Sequence, residues 1–298
     1  TGNVILKSGS SIIAKSSMPF DIEYNRALAT ANWYTVSSAV TNETIENIIS
    51  NHSFATGSGS NIGVSDYDNT IPGWTYATLA TTGTIASGEG RAVKLASLDD
   101  LSFTGNMPTS DIDIAITHGG GGGNGFNLIG NPYPSYIPLN TITSAGADNV
   151  LDANASVLEE QTVYLWDQSL NSYTALNQAS TSRYIAPGQG FFVQSKAAGG
   201  TFNFTEAMQS HQATDIFNRT ENTRPEIKLA IANGSDTSAT DIYYIEGTTL
   251  SFDNGYDSSM FGGVSNDFTV YTHLLVDSQG QDLAIQSLPD SDFESMVI

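Results

Sequence analysis

The amino-acid sequence predicts an all-β protein, with tandem antiparallel β-sandwich-like repeats of about 100 residues followed by a further β-sandwich. Three observations lead there. Glycine and turn clusters break the chain at short intervals, and the segments between them alternate apolar with polar residues or run as β-branched stretches. Helical periodicity is nearly missing. Most informative, two halves of the chain match each other block by block.

Taken in order, strands are expected at Gly2 to Leu6, Ser11 to Ala14, Trp33 to Val40, Arg91 to Leu95, Asp111 to Ile116, Phe126 to Ile129, Thr162 to Trp166, Gly190 to Gln194 and Ile227 to Ala232. One short helix is expected over Thr44 to Ile49, capped by Thr41 or Asn42, with Ile45, Ile48 and Ile49 on one side. The internal match then has four parts. Trp33 to Ser38 resembles Phe126 to Asn131. A hairpin from Tyr67-Asp68 through Trp74-Thr75-Tyr76 resembles Trp166-Asp167 through Tyr173-Thr174. Ile85-Ala86-Ser87-Gly88-Glu89-Gly90 meets Ile185-Ala186-Pro187-Gly188-Gln189-Gly190, and Phe103-Thr104 meets Phe204-Thr205. The pairs Gly88/Gly90 and Gly188/Gly190 read as structural, allowing a tight turn or bulge before a buried strand. The run Gly119 to Gly123 reads as a mobile loop or linker, because five glycines in a row lose much entropy on ordering. It marks the joint, giving a first repeat over 1–118, a second over 119–222 and a third, incomplete β-sandwich region over 223–298. In that last region Asp241 to Ile245 and Phe268 to Leu275 read as antiparallel strands around a turn at Asp253 to Asp257.

Composition limits the partners. The chain has 298 residues, with 31 acidic against 10 basic side chains and a net charge of −21. Nucleic acid and anionic bilayers are disfavoured by that charge, and no apolar run is long enough for membrane insertion. The acidity suits a salty or calcium-rich exterior, or a role in binding a cation. Cysteine is absent, which removes disulfides, thiolate metal sites and a Cys nucleophile. The sequence begins mid-pattern at Val4-Ile5-Leu6, as an excised fragment would, so other domains of the same parent chain are expected as neighbours.

Enzyme signatures fail. Gly57-Ser58-Gly59-Ser60 lacks the spacing of a nucleophile elbow, His52, His118, His211 and His273 lack zincin pairing, and the glycine run has no Lys after it. A catalytic site is therefore not expected. Calcium is the metal the loops would suit, since clustered Asp, Asn and carbonyl oxygens are hard ligands; Asp253, Asn254 and Asp257 form the best cluster. Aromatic residues are the other candidates, because sugars stack their C–H faces on Trp and Tyr. Trp74, Tyr76, Trp166 and Tyr173 fall in the repeated hairpins, as core of each repeat or as a ligand platform. Tyr133 and Tyr136, beside Pro132 and Pro134, are expected to be exposed.

The blocks Phe126 to Ser135, Tyr164-Leu165-Trp166-Asp167, Ile185 to Val193, Phe204-Thr205, Phe252 to Tyr256 and Leu283 to Pro289 resemble the C-terminal β-rich region of large secreted or surface proteins of Bacteroidota. In those proteins the region precedes a type IX secretion sorting domain. The resemblance implies export to the outer cell surface or beyond, but no single function. The expectation is a non-catalytic secreted or cell-surface β module that binds a polysaccharide or cell-surface glycan. The alternatives are a spacer that presents other domains, and a polysaccharide-active enzyme on a β scaffold. A pair of aromatics exposed in a groove would favour the first, and burial of Trp74 and Trp166 the second.

Overall fold

In the computed structural model, residues 4–16, 18, 20–141, 148–168, 170–212, 224–234, 236–262, 268–278 and 280–293 are described. The strands form where apolar residues alternate. Strand β1 (Val4–Leu6) pairs in parallel with β2 (Ile22–Ala27), which buries Ile22 and Tyr24. There follow β3 (Tyr34–Ser37), β4 (Glu43–Thr44), helix α1 (Ile45–Asn51), β5 (Asn61–Asp68), β6 (Gly73–Thr78), β7 (Thr84–Ile85), β8 (Gly90–Val93) and β9 (Asp100–Gly105). In β9 Leu101 and Phe103 point inward while Asp100, Ser102 and Thr104 are partly exposed, which is the period of two that one buried face imposes. The order then recurs: β10 (Ile112–Ile116), β11 (Phe126–Gly130), β12 (Ile137–Pro138), α2 (Val150–Asn154), β13 (Val163–Asp167), β14 (Ser172–Leu176), β15 (Tyr184–Ile185), β16 (Gly190–Gln194) and β17 (Gly200–Phe204).

The pairings recur with it, all antiparallel. Strand β2 pairs with β9 as β10 does with β17, β3 with β8 as β11 with β16, β4 with β7 as β12 with β15, and β5 with β6 as β13 with β14. The duplication read from the sequence thus recurs in the order and pairing of the strands. Each repeat opens on the strand that pairs with its closing strand, so the joint lies between β9 and β10, and the glycine run falls inside the second repeat. That run is not a linker. Gly119 has φ +80° and sits against the Asn69 carbonyl, where a Cβ would collide with it. Asn69 Nδ2 meanwhile donates to Thr117 O at 2.7 Å. The glycines are there because backbone packs on backbone.

Helix α1 is capped by Thr44, whose Oγ1 accepts from Asn47 N–H at 3.1 Å, rather than by Thr41 or Asn42. The pairing of β4 with β7 keeps the chain extended as far as Thr44, and only there can the helix start. Ser11 to Ala14, expected as strand, is irregular.

The chain divides into two compact units, residues 1–159 with 183–217 and residues 160–182 with 218–298. In the first, the core of repeat one gathers Ile22, Tyr24, Val36, Ile45, Phe54, Leu101 and Phe103. Repeat two contributes a nest of rings, Phe191, Phe202 and Phe204, all fully buried.

Within this unit each repeat reaches into the other. The turns Ala86 to Gly90 and Ala186 to Gly190 have the same build. Glu89 N–H donates to Ala86 O (3.0 Å) and Gln189 N–H to Ala186 O (3.2 Å), while the side chains of Glu89 and Gln189 accept from Ala86 N–H and Ala186 N–H, both at 3.1 Å. Gly88 and Gly188 carry φ of +85° and +68°. The carbonyl of Gly188 takes the N–H of Ser37, and that of Gly88 takes the N–H of Gly130, both at 3.0 Å. Gly90 and Gly190 complete the exchange. A Cβ on Gly90 would lie 2.6 Å from Leu128 Cγ, and one on Gly190 would lie 2.7 Å from Val36 N.

The second unit contains the β13–β14 hairpin and a four-stranded sheet of β18 (Glu226–Asn233), β19 (Asp236–Tyr244), β20 (Ser258–Ser259) and β21 (Leu283–Leu288), in the order β18-β19-β21-β20. It differs from the antiparallel sandwich expected, because β19 and β21 are parallel. Thr272 makes a lone bridge to Leu283, and otherwise Phe268 to Leu275 is not strand. Ile242, Tyr244 and Leu288 form the core.

Candidate functional site

Strand β5 does not follow β6 along its whole length. Asn61 is opposite Thr78 and Ser65 opposite Tyr76, so three residues of β5 face the single residue Ala77. This is a bulge. At the bulge β5 finds other partners: Gly63 N–H donates to Ala55 O (2.8 Å), Lys94 N–H to Gly63 O (2.7 Å) and Ala55 N–H to Lys94 O (2.9 Å). Gly63 is required there, because a Cβ would run into the Lys94 carbonyl. The parting of β5 from β6 leaves a groove of about 340 Å³. Trp33 and Tyr76 stand in it with ring centroids 6.0 Å apart and planes at 59°. Tyr76 is 41% exposed. Thr56, Ser58, Asn61 and Lys94 supply polar groups around the rings. A wider depression of about 520 Å³ lies over Thr117 to Gly120, but its lining of alanine and glycine with Ile116, Thr117 and His118 includes no Trp, Tyr or Phe ring.

Of the other aromatic candidates, Trp74 packs edge-on against Tyr67 (5.3 Å) and Phe192 (6.0 Å). It therefore joins the first repeat's hairpin to β16 of the second. Trp166 packs on Tyr173 at 4.9 Å, and Tyr173 on Phe261 at 4.4 Å. Both tryptophans are half-buried. Tyr133 and Tyr136, expected at the surface, are buried. The turn is folded inward by Asn131, whose Oδ1 accepts from Tyr133 N–H (3.0 Å) and whose Nδ2 donates to Ser135 O (2.7 Å). The Tyr133 hydroxyl donates to Phe204 O at 2.8 Å, with Ser110 O at 3.0 Å, which removes the cost of taking it from water. Burial, then the nearby Asp111 and Glu206, hold that phenol well above its ordinary pKa.

Asp253, Asn254 and Asp257 do come together, in a turn with Gly255 at φ +92°. Their oxygens are directed at protein N–H groups. Asp257 Oδ2 accepts from Asp253 N–H (2.7 Å) and Oδ1 from Ser287 N–H (2.6 Å). Asp253 Oδ2 accepts from Thr249 N–H (2.5 Å), and Asn254 Oδ1 from Gln161 N–H (2.8 Å). Burial pushes the Asp257 carboxyl up to about 6, against hydrogen bonds that lower it. A calcium cage needs six to eight free oxygens, and this cluster does not fit one. Among the described residues no three His, Asp or Glu side chains converge as metal ligands.

A family model described as a domain of unknown function, DUF8693, matches residues 1–294. The chain belongs to that family. No curated protein and no solved structure matches it. In this DUF8693 chain the groove is built from residues of repeat one. At the matching positions of repeat two, Phe126 stands for Trp33, Ala175 for Tyr76 and Gln194 for Lys94. Sequence reasoning selected Tyr76 but missed Trp33, Asn61 and Lys94. The signal was Gly63, an isolated glycine within a strand pattern, which marks a bulge or a close backbone approach. In chemical terms the DUF8693 groove offers two inclined ring faces, an amide, two hydroxyls and one cation. That set can stack on a flat apolar face and hydrogen-bond to hydroxyls around it.

Proposed function

We propose that this chain is a non-catalytic module of a secreted or cell-surface protein that contacts carbohydrate through the groove of Trp33 and Tyr76. The observation that carries the reading is the inclined aromatic pair in the groove, Tyr76 exposed and Trp33 half-buried, ringed by Thr56, Ser58 and Asn61. Sugar rings present C–H faces to such surfaces and hydroxyls to such rims. The resemblance to exported Bacteroidota proteins and the acidic, cysteine-free composition support an extracellular setting. The test is affinity electrophoresis in gels holding neutral and acidic plant and marine polysaccharides. Retention of the wild type that Tyr76→Ala abolishes, and that Trp74→Ala reduces only as far as it lowers the melting temperature, supports the proposal. Absence of retention in every gel by folded protein rejects it.

A second reading is favoured by the reciprocal turns of the first unit. A module whose halves hold each other is stiff, and stiffness is what a spacer between other domains requires. Failure of all glycan binding would leave this as the function to pursue.

A further inference from the structure

Resting on the carbohydrate reading above, we infer that the groove selects an acidic sugar, with Lys94 receiving its anionic group. The charge distribution points there. The chain has 31 acidic and 10 basic residues, yet no Asp or Glu lines this groove and a lysine does. Among the described residues Lys94 makes no ion pair, whereas Lys15 is held by Glu206, Lys228 by Asp241, and Arg91 by Asp66 and Glu89. Arg91 lies only three residues away and is held by Asp66 and Glu89. Among the described residues Lys7 and Lys196 also make no ion pair, Lys196 donating instead to the carbonyls of Ala155 and Ser156, so what sets Lys94 apart is its place in the aromatic groove. Lys94 is also partly buried. A lysine lining a groove beside an aromatic pair offers an anion a charge-assisted hydrogen bond, which is stronger in a sheltered groove than in open water.

The net charge of −21 does not oppose this at the range that matters. Beyond about 8 Å it is screened at physiological ionic strength, and within that distance a ligand meets the groove's own lining. Nucleic acid is a different case, because its affinity comes from many phosphate contacts to a basic surface, and one lysine is no such surface. Stacking on Trp33 and Tyr76 would supply the bulk of the contact and Lys94 the preference. In repeat two glutamine replaces the lysine and alanine the tyrosine, so a single acidic-sugar site per chain is expected.

The test uses the full chain in affinity gels at 0.15 M salt, with polygalacturonate for a carboxylate, a sulfated galactan for a sulfate ester, and glucomannan as the neutral polymer. The expected result is stronger retention by an acidic polymer than by glucomannan. Lys94→Gln should weaken it about three- to tenfold, as the loss of one charge-assisted contact does, and Lys94→Arg should keep most of it. Whichever acidic gel retains the protein identifies the anion. Equal retention by glucomannan, unchanged in Lys94→Gln, overturns the acidic preference and leaves the carbohydrate reading in place. Retention in no gel, by protein with an unaltered melting temperature, overturns both.

Discussion

Gly190→Ala is the substitution whose cost the structure defines most closely. The new methyl would lie 2.7 Å from Val36 N and 2.9 Å from Thr35 C, about 0.7 Å inside ordinary contact, and the obstructing atoms are backbone rather than a side chain that could turn aside. Strand β3 must retreat from the Ala186 to Gly190 turn. That strains the bonds from Ser37 N–H to Gly188 O and from Thr35 Oγ1 to Gly190 O. Overpacking costs about 1–3 kcal/mol, and the two hydrogen bonds, strained rather than broken, together about 1 kcal/mol, so a loss of about 2–4 kcal/mol is expected. For a unit of this size that lowers Tm by about 5–15 °C. Gly90→Ala, pressed against Leu128 at 2.6 Å in the equivalent place, should cost a similar amount. Gly121→Ala, with nothing within 4 Å, is the control. Differential scanning calorimetry of the three variants makes the comparison. If Gly90→Ala and Gly190→Ala melt with the control, the reciprocal turns do not hold the repeats and the reasoning fails.

Two further outcomes follow from the second unit. Burial raises the Asp257 carboxyl to about 6, above its unfolded value of 3.8, so the folded state binds the extra proton between those values. Stability through this group therefore rises as pH falls from 7 toward 4, by about 1–3 kcal/mol; urea unfolding at pH 7 and pH 5 should show it, and the same slope in Asp257→Asn would refute it. Because the oxygens of Asp253, Asn254 and Asp257 are taken up by backbone N–H groups, exchanging calcium for a chelator should move the melting temperature by no more than about 1 °C, and a larger shift would point to a cation bound there.

The repeat was legible in the sequence because turn chemistry is local: Ile-Ala-x-Gly-x-Gly forms the same loop wherever it occurs, and the copies stand 100 residues apart. The boundary was not legible, because a glycine run looks the same whether it is free or pressed against another backbone, and only Asn69 in a distant turn distinguishes the two. Tyr133 illustrates a similar blind spot. A tyrosine between prolines suggests an exposed turn, and its burial depends on Asn131 and on the carbonyl of Phe204, 71 residues away. The acidic turn at Asp253 to Asp257 was placed correctly as a turn, but its ligand chemistry depended on where Ser287 and Thr249 brought their N–H groups. The groove needed a register shift in β5, which a residue pattern can hint at through Gly63 and cannot locate.

Each repeat of the first unit carries both a projecting turn and the seat for its counterpart's turn, so a half-chain is complementary to a copy of itself. A single repeat on its own would have an empty seat and an idle turn, and pairing two such chains about a twofold axis would fill both. The covalent joint between β9 and β10 makes that association intramolecular, at an effective concentration no free half-chain would meet in dilute solution. It also frees the two copies to differ, as they do where Trp33, Tyr76 and Lys94 of the first repeat are matched by Phe126, Ala175 and Gln194 in the second.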